Sequence, residues 1–356
     1  MSRLVVASIG PASSVQDGGR PGSQRYGLVP SGAMDRLALA AANVVVGNAP
    51  FAAAIEIGPF GACFTAHDGA VRVALSGAPR DADVGKCPVA FDTSMTLADS
   101  ESLTLGFARG GSFSYLAIEG GVQGEPMFGS LAVNARAGLG SPYPRPLQAG
   151  DELQIANPSG ATERRIDLPA ALDGPIRVVL GPQDDEFGDD MKKLFLDSEW
   201  RISATSDRMG YRLEGPVIRH LHGHNIVSDG TVNGSIQVPG NGAPIVLMRD
   251  RGTSGGYPKI ATVISADLGR FAQIPAGRGF RFKAIGMAEA QAELRNFVKQ
   301  IGALPDRLRD IENFDLNLEA LQHANVAGSA VSAVDAQTWE ARTWQATSSS
   351  DAMTPN

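Results

Sequence analysis

A chain of 356 residues, 43% apolar and 19% charged, is too long for one ordinary core and too apolar for a disordered polymer, so two domains and an extension are expected. The formal net charge of −7, without any Lys/Arg block, argues against a nucleic-acid binder, whose affinity rests on cations meeting phosphates. No apolar run approaches the roughly 18 residues of a membrane span, no disulfide framework is suggested by Cys63 and Cys87 alone, and Pro11 and Asp17 interrupt the start before a signal-peptide core forms; the cytoplasm is the expected compartment.

The 42 glycines and 22 prolines punctuate the chain and favour many short strands over long helices. Residues 4–9 read as a first strand, and residues 16–34 are dense in Gly, Pro and polar side chains without a regular element. Residues 35–46 have helical spacing, with Leu37, Ala40, Ala41 and Val44 on one face, and Gly47-Asn48-Ala49-Pro50 stops them. Short β-type runs follow to Ile155, for example 71–75, 103–107 and 115–118, at the spacing of a barrel or sandwich. Residues 157–175 look like a linker. A second start at 176–180 precedes a short helix at 189–196 and further strands at 244–248 and 259–265. Beyond Gly286 the texture turns helical, with an amphipathic helix at 288–301, a second candidate at 318–324, and a Ser/Thr-rich end from Thr347 expected to be disordered. The halves echo each other weakly: residues 29–34 and 231–236 each run polar residue, Gly, small residue, apolar residue.

Several chemistries are excluded by motif. There is no Gly-x-x-x-x-Gly-Lys-[Ser/Thr] phosphate loop and no Met-Lys-Met biotin attachment sequence. His220, His222 and His224 would share one face of a strand and so could hold a metal, but Gly223 makes a surface turn the preferred reading, and no metal is expected. Three polar, Gly-rich clusters remain. The first runs from Gln16 and Asp17 through Arg20 and Gln24, with Ser31 and Asp35 following; the second is Ser206-Asp207-Arg208-Met209-Gly210-Tyr211. The third joins Ser228-Asp229-Gly230 to Gln237-Val238-Pro239-Gly240 and Gly255-Gly256-Tyr257-Pro258-Lys259. Such loops let backbone N–H groups approach an anion or carbonyl, although Asp-Gly turns, a surface Asp207/Arg208 ion pair and a strand opening at Tyr257-Pro258 are the plain alternatives.

Across these clusters, and at Gly181-Pro182-Gln183-Asp184-Asp185, the sequence resembles the biotin-dependent carboxyltransferase family, which includes allophanate hydrolase subunit 2, the matching half of urea amidolyase and the C component of 5-oxoprolinase. The resemblance covers most of residues 3–286. It implies a mainly β fold of two tandem cyclophilin-like barrels, 1–157 and 175–286, with a linker at 158–174 and a helical, partly disordered tail at 287–356. It also implies a partner chain like the B component of 5-oxoprolinase, in a hetero-oligomer. The leading expectation is the C component of an ATP-dependent 5-oxoprolinase-type complex acting on a lactam or small amide, with ATP bound by the complex rather than by a phosphate loop here. The alternatives are a carboxyltransferase component using carboxybiotin from a separate carrier, and a regulatory component that catalyses nothing. A planar amide needs a donor at its oxygen and an acceptor at its N–H. Asp229, Lys259 and Asp17 are the catalytic candidates; Gln16, Arg20, Gln24, Ser31, Asp35, Asp207, Arg208, Gln237 and Tyr257 are the binding candidates. Two departures from the family, Leu131 where Arg is common and Arg251-Gly252-Thr253-Ser254-Gly255-Gly256 where Gln-Thr-Thr-Gly-Gly is common, bear on the substrate more than on the fold.

Overall fold

The computed structural model describes residues 2–311 apart from 157, 170 and 171; the expected helix at 318–324 and the end from Thr347 lie outside the described residues. Its strands follow from alternation. In Arg3–Ile9, Leu4 and Val6 point inward, and they register against Ala66 and Phe64 of the antiparallel strand Ala62–His67. Leu4 also faces Leu153 of Glu152–Gln154, so this sheet closes one side of the first core.

The opposite sheet is centred on Ser114–Ile118, flanked by Ala54–Ile57 and Val71–Gly77, and these strands are buried on both faces. The reason is a division of residue sizes. Ile55, Ile57, Val73, Leu75, Leu116 and Ile118 fill the space between the sheets, while Ala54, Ala74 and Ala117 turn the other way, beneath a helix. That helix, α1 (Arg36–Val45), has Asp35 as its N-cap, accepting from the N–H groups of Leu37 and Ala38 at 3.1 and 3.2 Å. Burial runs without a break from Ala38 to Val45 rather than along one face, because α1 shares a single apolar cluster with the core of the second half. Alanine on both contacting surfaces lets sheet and helix approach closely.

Residues 158–174 do more than link. Arg164–Ile166 adds a strand beside Thr93–Leu97, and Arg72, fully enclosed, fixes the approach by donating to Thr162 O at 2.7 Å and Glu163 Oε2 at 3.2 Å.

The second half is a sheet in the order Gly279–Phe280, Trp200–Ile202, Gly210–Glu214, Ile245–Leu247, Ser235–Gln237, Lys259–Val263, Ile176–Leu180, Phe282–Ala284. Its two edge strands are separated in sequence by Arg281 alone, so the sheet curls round on itself. Helices α2 (Asp189–Asp197) and α3 (Leu268–Ala272) pack on it, and Phe195, Trp200, Phe271 and Phe282 form the aromatic core, with Phe195 and Phe282 stacked at 4.8 Å. Helix α4 (Met287–Gly302) matches the expected amphipathic helix, but the chain then returns to the first half: Leu308–Asp310 pairs antiparallel with Arg164–Ile166. The extension is thus helix followed by strand, and it ties the end of the described chain to the sheet centred on Ser114–Ile118. The fold class is the expected one, mainly β with two barrel-like halves in tandem.

The sequence echo is partial. Gly32 and Gly234 share left-handed backbone, φ +85 and +91, but Gly32 leads into α1 and Gly234 into a strand. Nor do His220, His222 and His224 lie on a strand; His220 Nε2 contacts Val238 O at 2.9 Å and its ring packs on Phe187 at 5.1 Å.

Candidate functional site

The Gly-rich loop of the first half is folded against itself. Asp17 accepts from Gly19 N and Ser130 Oγ, each at 2.7 Å, and from Leu131 N at 2.7 Å, which ties two loops together. Gly19 and Gly32 sit backbone to backbone: a Cβ on Gly32 would lie 2.7 Å from Gly19 N, so neither position tolerates a side chain. Gln16 is enclosed and donates to Ser14 Oγ and Val133 O at 2.9 and 3.0 Å. Arg20 donates to the carbonyls of Ala132 and Met127, and burial holds its guanidinium below the usual arginine range. Ser31 accepts from Asn134 Nδ2 at 3.1 Å; Asp35 caps α1 and accepts from Gln273 Nε2 at 3.0 Å. Leu131, where the family often carries Arg, therefore serves Asp17 through its backbone N–H.

This loop meets the second half along a charged seam. Gln24 donates to Thr231 O at 2.8 Å and accepts from Arg251 Nη2 at 3.0 Å. Arg208 bridges Glu56 Oε1 and Asp250 Oδ2, the latter at 2.8 Å, and donates to Gly32 O at 2.8 Å. Glu56, with no exposed surface, also accepts from Met34 N and the Tyr115 hydroxyl, at 2.8 and 2.7 Å. Burial alone would lower the Arg208 pKa, but Asp250 and Glu56 hold it above the ordinary arginine value. Arg208 thus joins two halves rather than forming a surface pair with Asp207, whose Oδ1 closes a turn onto Met209 N and Gly210 N.

The third cluster is organised differently. Lys259 opens the strand Lys259–Val263 and is 1% exposed, yet its Nζ makes no hydrogen bond; the nearest anion is Asp229 Oδ2 at 3.4 Å. Asp229 stands on the short strand Asp229–Gly230, paired with Ser254–Gly255, and its carboxylate is exposed. The Gly230 N–H, then Lys259 and Gln183, hold it below the usual carboxylate range. Gln183 grips both members: Nε2 donates to Asp229 Oδ2 at 3.3 Å, Oε1 accepts Lys259 N–H at 3.2 Å, and its own N–H donates to Lys259 O at 3.1 Å. Gln237 lies alongside, its amide 3.5 Å from Tyr257 O, and a Cβ on Gly255 would fall 2.3 Å from that amide. The Tyr257 side chain is exposed.

One observation joins these clusters. The side-chain polar atoms that are enclosed without a partner, among the described residues, are Gln16 Oε1, Arg20 Nη1, Arg36 Nε, Asn233 Oδ1, Arg249 Nε, Arg251 Nε and Lys259 Nζ. All fall in residues 16–36 and 233–259, the segments that build the seam and the Lys259 end of the Lys259–Asp229 pair. Enclosed polar groups without partners are rare in folded proteins and mark places held ready for something else. A cavity of about 1090 Å³ lies elsewhere, between α3, α4 and residues 168–177. In its lining, Arg177 pairs with Asp267 and Glu293, Arg270 donates to Pro175 O, and Gln273 donates to Asp35.

The model of the carboxyltransferase domain, subdomains A and B, matches residues 26–284. The chain belongs to this carboxyltransferase family. It is 36% identical to the C component of 5-oxoprolinase from Escherichia coli (strain K12) over 81% of this chain and 93% of that protein. The Haemophilus influenzae protein of the same name is 35% identical over 80% and 91%. A solved structure of Kluyveromyces lactis urea amidolyase superposes with a TM-score of 0.78 at 25% identity, covering 86% of this chain but 21% of that one. The bacterial relatives of similar length are thus enzyme components by name, whereas the fungal relative carries the same fold inside a chain several times longer.

Glu56, Asp250, Gln183 and Arg249 were not among the candidates read from sequence. Gln183 sits in a quoted motif, and Glu56 is a lone carboxylate in the apolar strand Ala54–Ile57, a usable signal. Nothing local marks Asp250 or Arg249. Among the described residues no helix is long and apolar enough to cross a membrane.

Proposed function

We propose that this chain is the C component of a cytoplasmic, ATP-dependent 5-oxoprolinase-type complex, acting with a B-like partner chain on a lactam or small amide. The observation that carries the proposal is Lys259: an enclosed ammonium with no hydrogen bond, 3.4 Å from a carboxylate that is open to solvent. A planar amide seated there receives Lys259 Nζ at its carbonyl oxygen, where negative charge grows during reaction, and presents its N–H to Asp229. Gln183 keeps the two side chains in register from behind. ATP, held by the complex, supplies the phosphoryl group that activates the lactam oxygen; the Lys259 ammonium suits an amide oxygen, and no phosphate-loop sequence occurs in the chain. The near full-length likeness to two bacterial 5-oxoprolinase C components supports this reading.

A second reading rests on the family itself, whose model is a carboxyltransferase domain and whose fungal relatives include a putative urea carboxylase of Emericella nidulans, 29% identical over 85% of this chain. There the same Lys259–Asp229 pair would orient a urea or amide nitrogen while a separate carrier supplies carboxybiotin. Reconstitution separates the readings. With B-like and lactam-hydrolase components, the complex is expected to open 5-oxoproline in an ATP-dependent way; turnover that requires a biotin carboxylase and carrier instead would establish the second. In either system Lys259→Met should lower turnover by about a hundredfold or more. Full turnover by Lys259→Met and Asp229→Asn together would leave a non-catalytic component.

A further inference from the structure

Asp229 stands on a ribbon that is separate from the eight-stranded sheet. Asp229–Gly230 and Ser254–Gly255 pair only with each other, whereas Lys259 opens a strand of the sheet itself. A two-stranded ribbon this short has little stability of its own, so contacts from outside must fix where it holds Asp229 relative to Lys259. Thr231, 1% exposed, continues the pairing: its N–H donates to Thr253 O at 3.1 Å and its hydroxyl to Gly252 O at 2.6 Å.

A further contact at that end of the ribbon comes from the first half of the chain. Gln24 Nε2 lies 2.8 Å from Thr231 O and 3.4 Å from Thr253 O, so one amide group reaches a carbonyl on each side of the ribbon. Its Oε1 accepts from Arg251 Nη2 at 3.0 Å, and the same Nη2 reaches Thr231 O at 3.3 Å. Both ends of the Gln24 amide are thus engaged by the second half. The loop that carries Gln24 is braced in turn. Tyr26 N–H donates to Ser23 O at 3.0 Å, Gly27 N–H to Gln24 O at 2.9 Å, and at the base Arg20 N–H donates to Pro30 O at 2.7 Å. We propose that Gln24 is a positioning residue, which clamps the end of the ribbon from the first half and so sets the place of Asp229 beside Lys259. Thr231 and Asp229 are two residues apart, about 7 Å along a strand, and a displacement of roughly 1 Å at a reacting group can cost about a hundredfold in rate. The inference rests on the reading of Lys259 and Asp229 as the reacting pair, and it makes that pair the joint product of both halves.

The test compares Gln24→Leu and Gln24→Glu with the parent in two assays. One is amide hydrogen exchange of the purified full chain, read by mass spectrometry; the other is kcat and KM in the reconstituted complex, with Asp229→Asn alongside. Gln24→Leu removes the whole clamp, while Gln24→Glu keeps an acceptor for Arg251 and loses the N–H donors. Both variants should exchange about tenfold faster at residues 229–231 and 253–255, with residues 260–263 at the parent rate. Both should also lose roughly tenfold or more in kcat, with little change in KM. Parent exchange rates at the ribbon in either variant would overturn the clamp. Faster exchange with an unchanged kcat, where Asp229→Asn is impaired, would reduce Gln24 to a structural contact and overturn its positioning role. A rise in KM alone would put Gln24 on the substrate and overturn it equally. An unimpaired Asp229→Asn would instead sink the reading of the reacting pair, and the positioning role with it, while the exchange rates still decide whether Gln24 holds the ribbon.

Discussion

Two aspartates in Gly-rich loops, Asp17 and Asp229, look alike in sequence and differ in what surrounds them. Asp17 is held by three hydrogen bonds of 2.7 Å from its own loop and from residues 130 and 131, so it is part of the scaffold. Asp229 takes one good bond, from Gly230 N–H, and shares its other oxygen loosely, at 3.3 and 3.4 Å, with Gln183 and an otherwise unpartnered Lys259. A carboxylate held tightly at both oxygens by the fold has little left for a substrate. Residue type finds both; the length of the bonds each one makes separates scaffold from site.

On the scaffold side, the largest loss of stability is expected at the seam. Arg208→Met leaves Glu56 charged and enclosed, which should cost on the order of 3–5 kcal/mol in urea unfolding. An effect below about 1 kcal/mol would mean that the two halves are not joined through this ion network. Next comes Asp17→Ala, which orphans the donors of Gly19, Ser130 and Leu131 and should cost about 1–3 kcal/mol, while turnover per folded molecule stays close to that of the parent.

On the site side, Gln183→Leu removes the brace on Asp229 and the acceptor for Lys259 N–H. Its kcat should fall roughly ten- to a hundredfold with a small change in melting temperature. An unchanged kcat would remove Gln183 from the site. The smallest effect is on pH dependence. The folded-state pKa of Asp229 is depressed, first by the Gly230 N–H and then by Lys259, so its stabilisation is present above the unfolded carboxylate value and is lost as pH falls through the folded one. The melting-temperature difference between parent and Asp229→Asn should therefore shrink between neutral pH and about pH 3. A difference that does not change over this window would show that the carboxylate is not held in its charged form.

Local structure is legible in the sequence wherever short-range rules decide it. The strand at 4–9 and the helix at 35–46, stopped at Gly47, are such places, and both appear within a residue of the expected bounds. What alternation cannot convey is which second surface an element meets. Helix α1 has an apolar face in sequence, but burial on all sides comes from the second half packing over it. Likewise residues 158–174 read as a polar linker because their strand partners, Thr93 and Leu308–Asp310, lie far along the chain. The Lys259–Asp229 pair is visible in sequence because Pro258 and Gly230 make their positions rigid and open. Its brace, Gln183, and the seam partners Glu56, Asp250 and Arg249 depend on contacts across the fold that no local pattern carries.

Chemistry at Lys259 and Asp229, and scaffolding at Asp17, can be told apart in one experiment: Lys259→Met and Asp17→Asn assayed side by side in the same reconstituted complex, with turnover corrected for the folded fraction. Lys259→Met is expected to keep the parent melting temperature and lose about a hundredfold or more in kcat, while Asp17→Asn melts lower and keeps kcat within a few fold. Near-normal kcat for Lys259→Met, with a collapse for a still-folded Asp17→Asn, would reverse the assignment.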